Sequence, residues 1–151
     1  MKKYVLGFMF SVVYNVPWVV LIQKARPDWQ KGRLNGVGGK IEAGEYPVDA
    51  VVREFGEETG VASHRDEWTD RVHLHGPDWM VYVFSAFQPQ RVDLKNGSPD
   101  EPVSWYLAHN LPDVVMNNVR WMVPMCLDKD LQFPIRIVDM TSPGKGTSRV
   151  A

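Results

Sequence analysis

The sequence predicts an α/β fold, a mixed sandwich of strands and helices, and three observations lead there. Runs of β-branched and aromatic residues occupy Tyr4–Val13, Trp18–Lys24, Val72–Leu74, Trp79–Phe87 and Ser104–Leu107, and these residue types suit a pleated, half-buried surface. Apolar residues switch to three- and four-residue spacing at Val48, Val51, Val52 and Phe55, the mark of an amphipathic helix. That helix lies between strands, as in layered α/β domains.

Taken in order, the first two strands are separated by Asn15 and Pro17, which favour a turn. Arg26 through Leu34 is polar and reads as a loop. Gly36-Val37-Gly38-Gly39 reads as a glycine-rich bend leading into Lys40. Pro47 suits the first turn of the helix, where its missing N–H leaves no bond unmade. Gly60 suits the C-terminal cap. Arg91–Pro102 is a turn-rich loop before the strand at Ser104–Leu107. A second helix is expected over Val114–Leu127, with Val115, Val119, Met122 and Met125 on or near one side. Residues 1–140 are expected to form one domain, and 141–151, small and polar, a loose tail.

The chain has 151 residues, 44% of them hydrophobic and 23% charged, which argues for an ordinary core and against general disorder. Its net charge of −1 provides no basic field for duplex nucleic acid or an anionic membrane. The basic start and apolar run at the N-terminus are interrupted by polar residues and show no cleavage site, so they read as a strand rather than a leader. The lone Cys126 fits a reducing compartment. The cytoplasm is therefore the expected setting.

The chemistry concentrates in Gly39–Val61. Glu54, Glu57 and Glu58 lie three and four residues apart and share one helix face. Like charges at that spacing cost a few tenths of a kcal/mol per pair. A hard divalent cation would offset the repulsion, since Mg²⁺ takes oxygen ligands and keeps waters and substrate phosphates. Arg53, four residues after Asp49 and four before Glu57, can brace the helix. Gly38 and Gly39 allow close approach of the backbone. A solvated acidic face is the alternative for three glutamates taken alone.

The wider spacing resembles the Nudix box: glycine, five residues, glutamate, seven residues, then Arg-Glu-apolar-x-Glu-Glu-x-Gly-apolar. Gly39, Glu45, Arg53, Glu54, Phe55, Glu57, Glu58, Gly60 and Val61 occupy those positions without a departure. A chance match at a given start is on the order of 10⁻⁸ at average composition. The resemblance implies the Nudix α/β/α sandwich, with a mixed sheet between helices. It implies that Glu54, Glu57 and Glu58 bind Mg²⁺, with Mn²⁺ as a substitute, or help activate water. Arg53 belongs with them in the catalytic group, and the Gly38 carbonyl is a further metal ligand. Glu45 and Arg53 would pair to hold the loop on the helix, while Gly39 and Gly60 are structural. Relatives draw another acid from a downstream loop, a place taken here by Glu101, with Asp100 as its competitor.

Residues outside the box bear on the substrate. Leu34–Lys40 resembles the Asn-Gly-x-Gly-Gly-Lys segment of oxidised-purine triphosphatases, which implies a base contact for Asn35 and a substrate role for Lys40. Asn118 matches a base-reading asparagine near the start of the last helix in MutT-type enzymes. Lys24 and Arg26 fall where relatives hold substrate phosphates, and arginine suits phosphate through paired donors. An Asn-Gly turn, a helix cap and a plain basic strand end are the respective alternatives. His73 and His75 lack a partner at zinc spacing. Gly144-Lys145-Gly146-Thr147 lacks phosphate-loop spacing. Trp105 and Trp121 are core aromatics by default.

The expectation is a MutT-like enzyme, a monomer or homodimer. It would cleave a (deoxy)nucleoside triphosphate, oxidised or non-standard, to monophosphate and pyrophosphate. The alternatives are hydrolysis of ADP-ribose, nucleotide sugars or diadenosine polyphosphates, and a non-catalytic nucleotide sensor.

Overall fold

The computed structural model describes residues 1–139, so the expected tail at 141–151 lies outside the described residues. Eight strands are joined in one mixed sheet: β1 (Lys2–Val13), β2 (Val16–Gln23), β3 (Leu34–Asn35), β4 (Val37–Lys40), β5 (Thr69–His75), β6 (Trp79–Gln88), β7 (Val103–Leu107) and β8 (Ile135–Val138). Two helices, α1 (Pro47–Thr59) and α2 (Val119–Leu127), cover it.

β1 organises the sheet because it pairs along both edges. One edge runs parallel to β6, from Lys2–Trp79 to Ser11–Gln88. The other is shared: Phe10–Val13 pairs antiparallel with β2, and Tyr4–Gly7 pairs antiparallel with β4. Period-2 alternation then builds one core on each face. Leu6, Phe8 and Phe10 pack with Val119, Met122, Val123 and Cys126 of α2. Val5 and Met9 pack with Ala50, Val51 and Phe55 of α1. The expected helix–sheet–helix sandwich is the observed one.

Pro47 opens α1, and Gly60 closes it at φ 73°, its N–H donating to the Gly56 carbonyl at 3.0 Å. Three expectations are corrected, and one strand is added. Val37–Lys40 is a strand, not a bend, because the glycines let it lie close against β1. A Cβ at Gly38 would collide with the Val5 carbonyl. The polar loop Arg26–Leu34 contains a 3₁₀ turn at Asp28–Gln30 and ends in β3. The second helix begins at Val119, not Val114, since Val114–Met116 is drawn into the sheet. Leu34 N–H donates to the Val114 carbonyl (3.0 Å) and Met116 N–H to the Leu34 carbonyl (2.8 Å). The unexpected β8 runs parallel to β5 and alternates half-buried with exposed residues, too weak a pattern to read.

Candidate active site

Arg53 sits on α1 with its guanidinium turned to the loop before the helix. Its Nε and Nη2 donate to the two carboxylate oxygens of Glu45 at 2.8 and 3.0 Å. Glu45 in turn accepts the Glu42 N–H at 3.0 Å. Nη2 also donates to the Lys40 carbonyl (3.2 Å) and Nη1 to Glu54 (2.9 Å). Arg53 thus ties the end of β4, the loop and the helix together, and its bond to Glu45 holds the Glu45 carboxyl below its ordinary range. The same contacts raise the pKa of Arg53. The expected Glu45–Arg53 pair is present. Asp49, spaced to meet Arg53, pairs with Arg65 instead at 3.5 Å.

The three glutamates differ in setting. Glu54 has a 13% exposed side chain, whereas Glu57 is 59% exposed and lies 3.5 Å from Arg53. Burial raises the pKa of Glu54 and of Glu58, and the Glu101 charge pushes Glu58 up further. Glu101 reaches this corner because its loop docks on the end of α1. Lys95 N–H donates to the Thr59 carbonyl (2.8 Å) and Gly97 N–H to the Glu58 carbonyl (3.0 Å).

Glu101 is buried at the end of β2. It accepts the Ala25 N–H at 2.9 Å and Arg26 Nη1 at 3.1 Å, and lies 3.3 Å from Lys24 Nζ. Burial opposes its charge, but the Ala25 N–H and the Lys24 and Arg26 charges outweigh that and lower its pKa. Arg26 also bonds Asp100, which is on the surface. Of the two candidate acids, only Glu101 faces inward.

Gly39 makes room for Glu54: a Cβ built on it would lie 2.5–2.8 Å from the Glu54 carboxylate. The donors gathered here are carboxylate oxygens, which suit a hard cation. Among the described residues no three acidic, His or Cys side chains converge into a ready cage. Carboxylate oxygens this sparse would suit a hard divalent cation that keeps water and phosphate oxygens in its shell.

Next to Gly39 lies a cavity of about 110 Å³, lined by Tyr4, Lys24, Gln30, Asn35, Gly38 and Lys40 among others. Asn35 is 2% exposed; its Oδ1 accepts the Gly36 N–H (2.8 Å) and its Nδ2 donates to Gln30 (3.1 Å). Gln30 had no sequence signal, being one polar residue in a polar loop. Asn118 is half-buried at the N-cap position of α2 but makes no side-chain cap bond. It does not line the cavity, and its segment is linked to β3 by the parallel Leu34–Val115 bridge. A wider groove of about 700 Å³ beside β7 contains none of the expected site residues. His73 is tied to Asp70 at 2.7 Å, and Trp105 and Trp121 pack on the cores.

Residues 9–124 match the family model of the NUDIX domain. The chain is 29% identical over 123 residues to the oxidized purine nucleoside triphosphate hydrolase of Mus musculus, covering 75% of this chain and 74% of that protein. It is 33% identical over 100 residues to a Mycobacterium tuberculosis protein provisionally named 8-oxo-dGTP diphosphatase 2, covering 64% and 69%. It is 34% identical over 104 residues to a Caenorhabditis elegans protein provisionally named nudix hydrolase 1, but those cover 68% of this chain and only 27% of the longer relative. In fold, the MutT protein of Bacillus halodurans superposes with a TM-score of 0.69 at 20% identity, over 95% of this chain and 92% of that one. Box, fold and family match agree: the chain belongs to the Nudix hydrolase family, whose members act on nucleotide phosphoanhydride bonds, and is of the MutT-like kind.

Proposed function

We propose that the protein is a metal-dependent pyrophosphohydrolase. It takes a (deoxy)nucleoside triphosphate, with oxidised purines the first candidates, and releases monophosphate and pyrophosphate. One observation carries this reading: the cavity holding the Asn35 amide is lined by Gly39, the residue packed against the Glu54 carboxylate. A base and a phosphate chain would be held side by side. The names of the mouse and mycobacterial relatives support the choice of substrate.

In this reading Glu54, Glu57, Glu58, Glu101 and the Gly38 carbonyl hold Mg²⁺ or Mn²⁺. When bound, the ion supplies charge neutralisation and lowers the pKa of water. Lys24, Arg26 and Lys40 take the phosphate oxygens; Lys24 and Arg26 exchange part of their pairing with Glu101 to do so. Asn35 contacts the base and Asn118 lies at its edge. Arg53 keeps Glu54 placed against Gly39. Among the described residues no helix is long and apolar enough to cross a membrane. The cytoplasmic setting expected from the single cysteine belongs to the same proposal, and that thiol is buried, with its pKa pushed up to about 12.

The test is a product-resolved panel with Mg²⁺ or Mn²⁺: normal dNTPs and NTPs, 8-oxo-dGTP, dUTP, ADP-ribose, a nucleotide sugar and a diadenosine polyphosphate. Pyrophosphate and a monophosphate, both absent with Glu57→Gln, are the expected products. Cleavage of ADP-ribose or a nucleotide sugar alone would overturn the base-site reading and keep the metal chemistry. Tight nucleotide binding without cleavage would replace the enzyme with a sensor.

A further inference from the structure

We propose that Gln30 selects the base, donating from its Nε2 to an oxo group on the base edge while its Oε1 holds Asn35 in a single orientation. The inference rests on the cavity being the nucleotide site and names what that site prefers: an oxopurine over an aminopurine.

The amide orientations follow from a backbone group that can only donate. Gly36 N–H donates to the Asn35 side chain at 2.8 Å, so the atom there is an oxygen. The Asn35 NH₂ then faces Gln30, 3.1 Å away, so Gln30 presents its oxygen to Asn35. The remaining end of the Gln30 amide is a donor. Gln30 is only 1% exposed, and it lines the cavity with Lys24, Gly38 and Lys40. No described residue accepts from that nitrogen. Gln30 stands in the cavity wall, so a ligand or water acceptor in the cavity is the partner open to that donor. The residue is also pre-positioned. Its own N–H donates to the Pro27 carbonyl and its carbonyl accepts from Arg33, both at 2.9 Å. An oxo group opposite Gln30 completes the bond. An amino group in that place sets donor against donor and leaves two buried groups unpaired.

The experiment compares dGTP, dITP and dATP in turnover, and dGMP, dIMP, dAMP and 2-aminopurine deoxyriboside monophosphate in equilibrium binding. The variants are Gln30→Met, of similar volume without the amide, and Gln30→Glu, which keeps an acceptor for Asn35 but removes the donor. The unmodified protein should favour the oxopurines, with 2-aminopurine grouped with adenine. Gln30→Met should lower kcat/KM for dGTP and dITP by about tenfold, the size of one hydrogen bond. The loss should fall mainly in KM and exceed the loss on dATP, which suffers only from the freed Asn35, and Gln30→Glu, which keeps Asn35 held, should shift preference toward the aminopurines. An unchanged oxo-to-amino ratio in the variants would overturn the proposal. So would equal losses on every purine, an unmodified protein without oxo preference, or no binding of any monophosphate. If one variant fails to fold, the oxo-to-amino ratio in the other decides the matter. Gln30-dependent selectivity in monophosphate binding without triphosphate cleavage would sink the reaction and keep this inference. Triphosphate cleavage with selectivity indifferent to Gln30 would do the reverse.

Discussion

Gly39→Ala separates two reasons for a glycine at one position. Gly39 lies in β4 and is not among the glycines with positive φ, so its backbone conformation suits any residue. What forbids a side chain is Glu54. A Cβ would meet its Oε1, Cδ and Oε2 at 2.5, 2.6 and 2.8 Å, where ordinary contact begins at 3.4 Å. The carboxylate must therefore withdraw by about 0.6–0.9 Å. It is the flexible end of a side chain, so the fold yields cheaply, within about 1 kcal/mol. Catalysis does not, because misplacement near 1 Å can cost on the order of 100-fold. The expected result is a kcat about 100-fold lower, a Mg²⁺ midpoint moved to higher concentration and a melting temperature within a few degrees of the parent. Gly38→Ala is the contrast. Its Cβ strikes the Val5 carbonyl, backbone that cannot yield without opening the β1–β4 ladder, so that variant should melt early. Steady-state turnover on the best triphosphate, a Mg²⁺ titration and thermal melts measure all three quantities. Gly39→Ala turning over within threefold of the parent at an unchanged Mg²⁺ midpoint would refute the reasoning.

Two further predictions concern charge. Arg53→Lys keeps the cation but loses the paired donation to Glu45 at 2.8 and 3.0 Å, so stability should fall by about 1–2 kcal/mol, read by urea melts, and kcat should fall as Glu54 loosens; unchanged stability would show that the fork is dispensable. Glu58 has a pKa raised above 4.5, first by burial and then by Glu101. The folded protein thus holds that proton more tightly than the unfolded chain does, and it loses stability as pH rises from about 4.5 through the raised value. Glu58→Gln should accordingly raise the melting temperature at neutral pH in chelator, converge with the parent below pH 4.5, and be inactive. A lower neutral-pH melting temperature in chelator would reverse the sign.

The two helices and the main strands were legible because their signals are local. Alternation along β1 separates Leu6, Phe8 and Phe10 from Val5 and Met9, and each set meets a different helix. Val114–Met116 reads as helix in the sequence because Val115 satisfies a helical spacing equally well, while the bonds that hold it come from the distant Leu34. β8 was invisible because an edge strand with half-buried and exposed residues needs little apolar pattern.

The sequence by itself determined the chemistry on offer. The spacing of Glu54, Glu57 and Glu58 is set by the helix repeat, and the Glu45–Arg53 pair by the short loop before the helix and its first turns. Only the tertiary structure decided which of these groups lie inside. It placed Glu54 against the bare Cα of Gly39 and drew Glu101 rather than Asp100 beneath Lys24 and Arg26. It also buried Gln30 against Asn35. Burial and contact between distant segments depend on how β1 shares its edge between β2 and β4 and on where the Lys95–Glu101 loop docks. Neither follows from any local run of residues, because both are set by packing of the whole sheet.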